Sequence, residues 1–244
     1  MIVGKVSYCS SCKGRLWQLK TTLAANLDRL SDIDAEWVIL DYSCPDKVSE
    51  FLLSHAPSVK AMKEGKLKLY KLEQDLEFSM PLAKNLAHLM GEGDILFNLD
   101  IDNFIGNSFE VLKTMKSNQY CHLDTGFANN GQGGRIGVYK GVFCDVGGYD
   151  LDYMGYGYDD IDFISRLKKL EMEIVLETVE TKPIPNTPQQ SDKYLIGGIK
   201  HRDACKRNRL LHLEKLRNLN PNVNPKGLNI YKGEAIHPVR VLPS

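Results

Sequence analysis

The stretch Asp94-Ile-Leu-Phe-Asn-Leu-Asp100-Ile-Asp102 decides the fold. A short apolar run ends abruptly in two aspartates spaced i, i+2. With Ile95 and Phe97 inside it, the run reads as a buried strand rather than a helix. At the end of such a strand Asp100 and Asp102 lie on one side. Two carboxylates so close repel unless something positive sits between them. A hard divalent cation is the usual partner, held by one or two carboxylates and completed by water and phosphate oxygens. The pattern therefore points to a phosphate-bearing substrate. A calcium loop of the helix–loop–helix kind fits poorly, because Phe104 and Ile105 stand where it needs an oxygen ligand and a glycine. A solvated acidic turn is the competing reading of a bare D-x-D.

Working outward, strand and helix signals alternate. Ile2–Tyr8 reads as a strand and Cys9–Gly14 as a loop. Arg15–Leu30 carries apolar residues at 16, 19, 23, 27 and 30, a helical stripe. Glu36–Leu40 is a strand ending at Asp41, Asp46–His55 a helix and Leu67–Leu72 a strand. Pro81–Met90 is a helix with proline in its first turn, where the missing N–H costs nothing. This order predicts an α/β fold, a mainly parallel central sheet with helices on both faces. Ligands of such sheets bind beyond the carboxyl ends of the strands. Cys9–Cys12, Asp41 and Asp100–Asp102 all fall there.

Beyond Asp102 the expected elements are a helix over Asn107–Met115, strands at Tyr120–Leu123 and Arg135–Lys140, and a short helix over Gly141–Gly147. The glycine-rich Asn129–Gly134 run between the strands is expected at a hairpin tip. A helix over Tyr158–Leu170 and a strand at Glu173–Glu177 follow. Residues Thr181–Gly198 are proline-rich and polar, more loop than element, and Arg202–Leu219 is a basic helix.

Composition is that of a soluble globular chain of 244 residues, with 43% hydrophobic and 25% charged residues. Lysine plus arginine equals aspartate plus glutamate at 31 each, so no overall field marks a nucleic-acid or membrane partner. Charge is nevertheless uneven: Lys200, Arg202, Lys206, Arg207, Arg209, Lys215 and Arg217 face only Asp203 and Glu214 in their segment. No apolar run approaches the roughly 18 residues of a membrane span, and the N-terminus does not read as a signal peptide. A cytoplasmic protein with reduced cysteines is expected. Cys9 and Cys12 have C-x-x-C spacing, but no second pair follows to complete a zinc site. A redox dithiol competes there with ordinary loop residues.

A second acidic cluster, Gly155-Tyr-Gly-Tyr-Asp159-Asp160-Ile-Asp162, opens a helix. Capping and the macrodipole account for one or two of its aspartates. Three, introduced by two glycines and two tyrosines, exceed what capping needs. Tyr156 and Tyr158 suit stacking on a sugar ring, and one carboxylate suits a general base for a hydroxyl nucleophile.

Together, Val38-Ile-Leu-Asp41, Asn98-Leu-Asp-Ile-Asp102 and Gly147-Gly-Tyr-Asp150 with the Gly155–Asp162 cluster resemble family-2-like glycosyltransferases of the GT-A fold. The last part is similar to the motif shared by β-1,4-galactosyltransferases and bacterial chondroitin-type polymerases. The opening Cys-Ser-Ser-Cys-Lys-Gly-Arg-Leu is similar to bacterial and phage members. The resemblance covers about residues 3–180. It implies a catalytic domain over 1–180, with a nucleotide-sugar half to about residue 105 and an acceptor half over 106–180. Residues 181–244 would form an extension with a basic helix and an irregular tail, packed on the same domain.

The resemblance also implies roles. Tyr8, Cys9, Ser10, Arg15 and Asp41 would contact the nucleotide, Lys84 the diphosphate, and Gly147 and Gly148 would admit the donor sugar. Asp100 would contact the ribose or metal-bound water and, with Asp102, hold Mn²⁺ or Mg²⁺. Asp159, Tyr156 and Tyr158 would bind the acceptor, and Asp160 would be the base of an inverting transfer from a nucleotide sugar, UDP-linked by expectation. Relatives usually supply a further metal ligand, often histidine, where this chain reads Ile184-Pro-Asn186-Thr, leaving Asn186 or His201 to serve. The acceptor is expected to be a bacterial surface glycan, or a hydroxymethylated DNA base in a phage-type enzyme. A sugar-phosphate nucleotidyltransferase would need a glycine-rich phosphate loop after the first strand, and Cys9–Arg15 has one glycine. Hydrolysis by paired carboxylates needs no nucleotide pocket, and a non-catalytic sugar- or nucleotide-binding module needs no second acidic cluster.

Overall fold

The computed structural model describes residues 4–123, 131–179, 181–231 and 233–243. Its elements run β1 (Val6–Cys12), α1 (Leu16–Ser31), β2 (Ala35–Asp41), α2 (Val48–Ser54), α3 (Ala56–Lys63), β3 (Leu67–Lys71), α4 (Met80–Leu89) and β4 (Ile95–Asn98). They continue with α5 (Ser108–Leu112), β5 (Gln119–Leu123), β6 (Gly137–Tyr139), α6 (Lys140–Asp145), α7 (Asp159–Lys169) and β7 (Glu173–Glu177). Last come α8 (Pro188–Asp192), α9 (His201–Lys215), β8 (Ile230–Tyr231), β9 (Glu234–Ala235) and β10 (Val239–Val241). One sheet has the order β10-β3-β2-β1-β4-β6-β5-β7, and β8 and β9 form a separate hairpin.

The centre of the sheet is parallel: β1 lies between β2 and β4, and β2 pairs with β3. β6 is antiparallel to both β4 and β5, while β5 and β7 pair in parallel. β2 and β4 are buried on both faces, which is why they read as largely apolar runs rather than alternating ones. Tyr8, Trp37, Ile39, Ile95 and Phe97 pack on one side with α1, α2 and α3. Cys9, Val38, Leu40 and Leu96 pack on the other with α4, α6 and α7. The mainly parallel sheet with helices on both faces is thus as expected.

Several boundaries differ. The first strand runs on to Cys12, because all seven of its residues pair with β2, so Cys9 and Cys12 are strand residues rather than a loop. Three apart on a strand, they point to opposite faces and join opposite cores; a dithiol between them is ruled out. A further helix, α3, follows His55, with proline in its first turn. The segment expected to be loop holds α8, closed by a reciprocal capping box between Thr187 and Gln190. α9 stops at Lys215 and continues as a 3₁₀ turn over Leu216–Asn218. Of the glycine-rich run, Asn129 and Asn130 lie outside the described residues, as does the start of the first expected strand. The tail returns to the sheet: β10 pairs antiparallel with β3.

The end of the sheet opposite the site is held by charge. Glu36 on β2 is fully buried and accepts from Ser7 Oγ at 2.8 Å, from the Glu92 amide at 2.8 Å and from Lys5. It also pairs with Lys68 at 2.7 Å. Burial opposes the carboxylate, but the hydrogen bonds from Lys5 and Lys68 hold it below its ordinary 4.5. A depressed folded-state pKa adds stability above the unfolded value and loses it as the pH falls through the folded one. Glu36→Gln is therefore expected to lower the stability at pH 7 by about 3 kcal/mol. Its melting temperature should converge with that of the wild type as the pH falls below the ordinary carboxylate range; a gap independent of pH would show that the charge is not the cause.

Candidate active site

The parallel centre brings three strand ends to one rim. Cys12 lies in register with Asp41, and the Leu99 amide donates to the Cys9 carbonyl at 3.0 Å. Directly beyond β4 the chain turns, closed by Asn103 N to Asp100 O at 2.8 Å. Asn98 Nδ2 donates both to Asp100 Oδ1 at 3.0 Å and to the Gly134 carbonyl at 2.9 Å. Asp102 accepts from Asn103 Nδ2 at 2.9 Å. Burial, and then the neighbouring Asp100 carboxylate, push Asp102 up to about 7.

The second cluster arrives from α7. Tyr158 turns the chain into the helix with a φ of 71°, and Asp159 and Asp160 then meet α4 across the sheet face. Lys84 Nζ, 4% exposed, donates to Asp159 Oδ2 at 2.7 Å and to Asp160 Oδ1 at 2.6 Å. Burial works against the Lys84 charge, but the two carboxylates hold its pKa well above the ordinary value. Burial and then Asp159 push Asp160 up to about 7, against the opposing pull of Lys84. Asp162 has a different task. It accepts from Arg166 Nε at 2.7 Å and from the Tyr153 hydroxyl at 3.1 Å, while Arg166 reaches the carbonyls of Val146 and Gly148. That aspartate braces the helix.

The two acidic groups converge on Gly134. A methyl group placed there would lie 2.7 Å from Asp100 Oδ2 and 3.4 Å from Asp160 Oδ2. The missing side chain leaves open space that a carboxylate suited to a cation and a carboxylate suited to a base both face. The run Gly133-Gly134 was visible in the sequence, but which acids would meet beside it was not.

The donor set suits a divalent cation. Asp100 and Asp102 are hard oxygen ligands whose mutual repulsion a cation would relieve, and the buried Asn103 Oδ1 has no hydrogen-bond partner. Among the described residues no third histidine, cysteine or acid joins them. Two carboxylates fit a cation that takes its other ligands from diphosphate and water. Of the proposed third ligands, Asn186 comes near: Ile184 N donates to the Asp102 carbonyl at 2.9 Å. Its Oδ1, however, already accepts from Gln18 Nε2 at 3.0 Å. His201 instead packs its ring on Tyr156, with centroids 4.0 Å apart.

Comparison with known proteins agrees with this geometry. Residues 116–187, which include the second acidic cluster, match the family model described as the N-terminal domain of galactosyltransferase. The chain has the fold of the GT-A glycosyltransferases. Its backbone is similar to that of a mannosyltransferase from Pyrobaculum calidifontis in complex with GDP-Man and Mn²⁺, with a TM-score of 0.65 and 13% identity over 91% of this chain. It is also similar to a Drosophila β-1,4-galactosyltransferase 7 in complex with manganese, UDP-Gal and xylobiose, at 0.56 and 14% over 98%. A third is GalNAc-T7 with UDP, GalNAc and Mn²⁺, at 0.58 and 11% over 87%. The chain spans 66%, 92% and 48% of these three in turn. A search of the curated proteins finds no match to the sequence.

Within this GT-A frame several expected contacts sit elsewhere. The Tyr8 hydroxyl is 2.9 Å from Ser108 Oγ inside the core, and Cys9 Sγ turns to the Ser7 carbonyl. Ser10 Oγ accepts from Trp37 Nε1 at 2.7 Å and donates to the Leu99 carbonyl. These three side chains are occupied in the sheet. Asp41 is likewise engaged, accepting from the Cys44 amide at 2.7 Å and from Ser49 N and Oγ; it caps the turn into α2. Gly147 and Gly148 do have positive φ, but the space their missing Cβ atoms leave is filled by the Val223 carbonyl and by Asn85 Oδ1. The chain's own tail and α4 lie against these two glycines. Lys84, expected at a diphosphate, spans the Asp159–Asp160 pair. Arg15 and Tyr156 feel the charges of the acidic groups: burial lowers Arg15 while Asp102 opposes that, and burial followed by Asp100, Asp159 and Asp160 pushes Tyr156 up to about 12. Tyr158 lies 5.8 Å, centroid to centroid, from His212 on α9.

Proposed function

We propose that this chain is a metal-dependent, inverting glycosyltransferase that moves a sugar from a nucleotide sugar, UDP-linked by preference, to a hydroxyl of a bacterial surface glycan. The observation that carries the reading is that Asp100 Oδ2 and Asp160 Oδ2 both face the space left by the missing side chain of Gly134. Asp160 has one oxygen tied to Lys84, which leaves Oδ2 to take the acceptor proton. With a pKa near neutrality the carboxylate is a base matched to its task. The acceptor oxygen attacks the anomeric carbon from the Asp160 side, its proton passes to Asp160, and the bond to the diphosphate breaks on the far side. One displacement with one base inverts the anomeric centre. Mn²⁺ or Mg²⁺ held by Asp100 and Asp102 would neutralise charge developing on the departing diphosphate. Tyr156 and Asp159 border the acceptor side, and the tyrosine ring offers a stacking face.

A screen of UDP-sugars and GDP-sugars with Mn²⁺, reading released nucleoside diphosphate with and without oligosaccharide acceptors, tests the reading. Release that needs Mn²⁺ and rises with one acceptor supports it. Binding of a nucleotide sugar without release under any condition would leave a non-catalytic module.

One observation favours a second acceptor class, a modified base in DNA. α9 packs directly on the acceptor motif: Asn208 Nδ2 donates to the carbonyls of Met154, Tyr156 and Gly157, and Cys205 fills the space beside Gly157. Its outer side exposes Arg202, Lys206, Arg207 and Arg209. On a DNA acceptor these residues would neutralise phosphates, and binding would weaken with salt at a log–log slope of about −0.9 per phosphate contacted. Gel shifts across a salt series, with and without charge-neutral substitutions at the four positions, separate the classes. A glycan acceptor predicts no retardation even at low salt.

A further inference from the structure

The inner face of α1 carries three polar residues where a core helix would ordinarily carry leucine. Gln18, Thr22 and Asn26, at i, i+4 and i+8, are 0%, 0% and 1% exposed, while Leu19, Leu23 and Leu30 beside them pack into the core. Buried polar groups are costly unless hydrogen-bonded, so their partners show what the stripe is for. Thr22 Oγ1 donates to the Ile101 carbonyl at 3.0 Å. Asn26 Nδ2 donates to the Asn103 carbonyl at 3.1 Å, and its Oδ1 accepts from Ile105 N at 2.8 Å. Gln18 Nε2 donates to the Ile184 carbonyl at 2.8 Å and to Asn186 Oδ1 at 3.0 Å, and Ile184 N in turn holds the Asp102 carbonyl. The peptides on both sides of Asp102, and the segment lying against it, are thus tied to a single helix. Gln18 Oε1 is left without a hydrogen-bond partner though buried.

We infer that Gln18, Thr22 and Asn26 are positioning residues for the divalent-cation loop, holding Asp100 and Asp102 together on one rigid helix before the cation arrives. The inference rests on the metal-dependent reading above. Two carboxylates facing each other without a cation repel, and a loop free to relax would let them separate. The stripe grips the backbone at 101, 103 and 105, not the carboxylates, so it fixes their spacing while leaving their oxygens available. Sites held by such supporting hydrogen bonds lose about 10- to 100-fold in metal affinity when the support is removed.

Calorimetric titration of Mn²⁺ into the protein with UDP, and of UDP without metal, tests this on the wild type, Thr22→Val, Gln18→Met and Thr22→Ser. Thr22→Val and Gln18→Met should each weaken Mn²⁺ binding by about 10-fold or more. Metal-free UDP affinity should stay unchanged, and Thr22→Ser, which keeps the hydroxyl, should restore the wild-type value. A merely structural role would lower the melting temperature and leave Mn²⁺ affinity untouched, or weaken UDP binding equally with and without metal; either result overturns the inference. Unchanged variants beside a wild type that needs Mn²⁺ overturn the inference alone. A wild type whose UDP binding ignores Mn²⁺ overturns the metal reading and the inference with it.

Discussion

Replacing Asp160 by asparagine should lower turnover by a factor on the order of 10² to 10⁴ while leaving nucleotide affinity and melting temperature nearly unchanged. Asparagine keeps the size of the side chain and an oxygen for the 2.6 Å contact from Lys84, and Lys84 retains Asp159 as its counter-charge. What disappears is the capacity to take a proton. The pH profile gives a second readout. Because burial and Asp159 push the Asp160 carboxyl up to about 7, the base is protonated and idle below that pH and competent above it. Wild-type turnover at saturating metal should therefore rise through about pH 7, and the residual rate of Asp160→Asn should lack that limb. If the substitution mainly lowers the melting temperature, the aspartate is a helix brace like Asp162 and the assignment of the base is wrong.

Asp102→Ala should abolish turnover and remove the dependence of nucleotide-sugar binding on metal. The cation would lose one of its two carboxylates, and among the described residues no third acid or histidine stands by to replace it. The fold should tolerate the change, since the loop is held through its backbone from α1 and the part-buried Asp102 side chain takes the Asn103 Nδ2 hydrogen bond. Calorimetry of UDP with and without Mn²⁺ decides. Equal affinities under both conditions in the wild type would dismiss a cation at Asp100 and Asp102, and a mutant that keeps the Mn²⁺ effect would move the cation elsewhere.

The exposed basic segment and the buried Glu36 network show how differently residues of one charge type read from sequence. Clustered lysines and arginines on α9 are visible as composition, and their outward direction follows from the helical period. Glu36 gave no signal, because its partners Lys5, Lys68 and Glu92 come from three other segments. The same contrast runs through the site. Asp100, Asp102 and Asp160 could be picked out because each stands at the end of a strong local pattern. Asp41 stood at such an end too, yet its carboxylate closes the turn into α2. A strand end places a residue at the rim without saying which way its side chain will be used.

By itself the sequence determined the alternation of strands and helices, hence the parallel centre of the sheet and the rim to which its strand ends come. These follow from periodicity and turn chemistry within windows of about ten to fifteen residues, the range over which the chain encodes structure directly. Tertiary structure alone decided that Lys84 pairs with both Asp159 and Asp160, some 75 residues away, and that Asp100 and Asp160 meet beside Gly134. It also decided that the tail packs on Gly147, and that the polar stripe of α1 grips a loop more than 75 residues further on. Hydrogen bonds and ion pairs of that kind depend on where two distant segments meet once the core has packed, and neither segment carries the other's address.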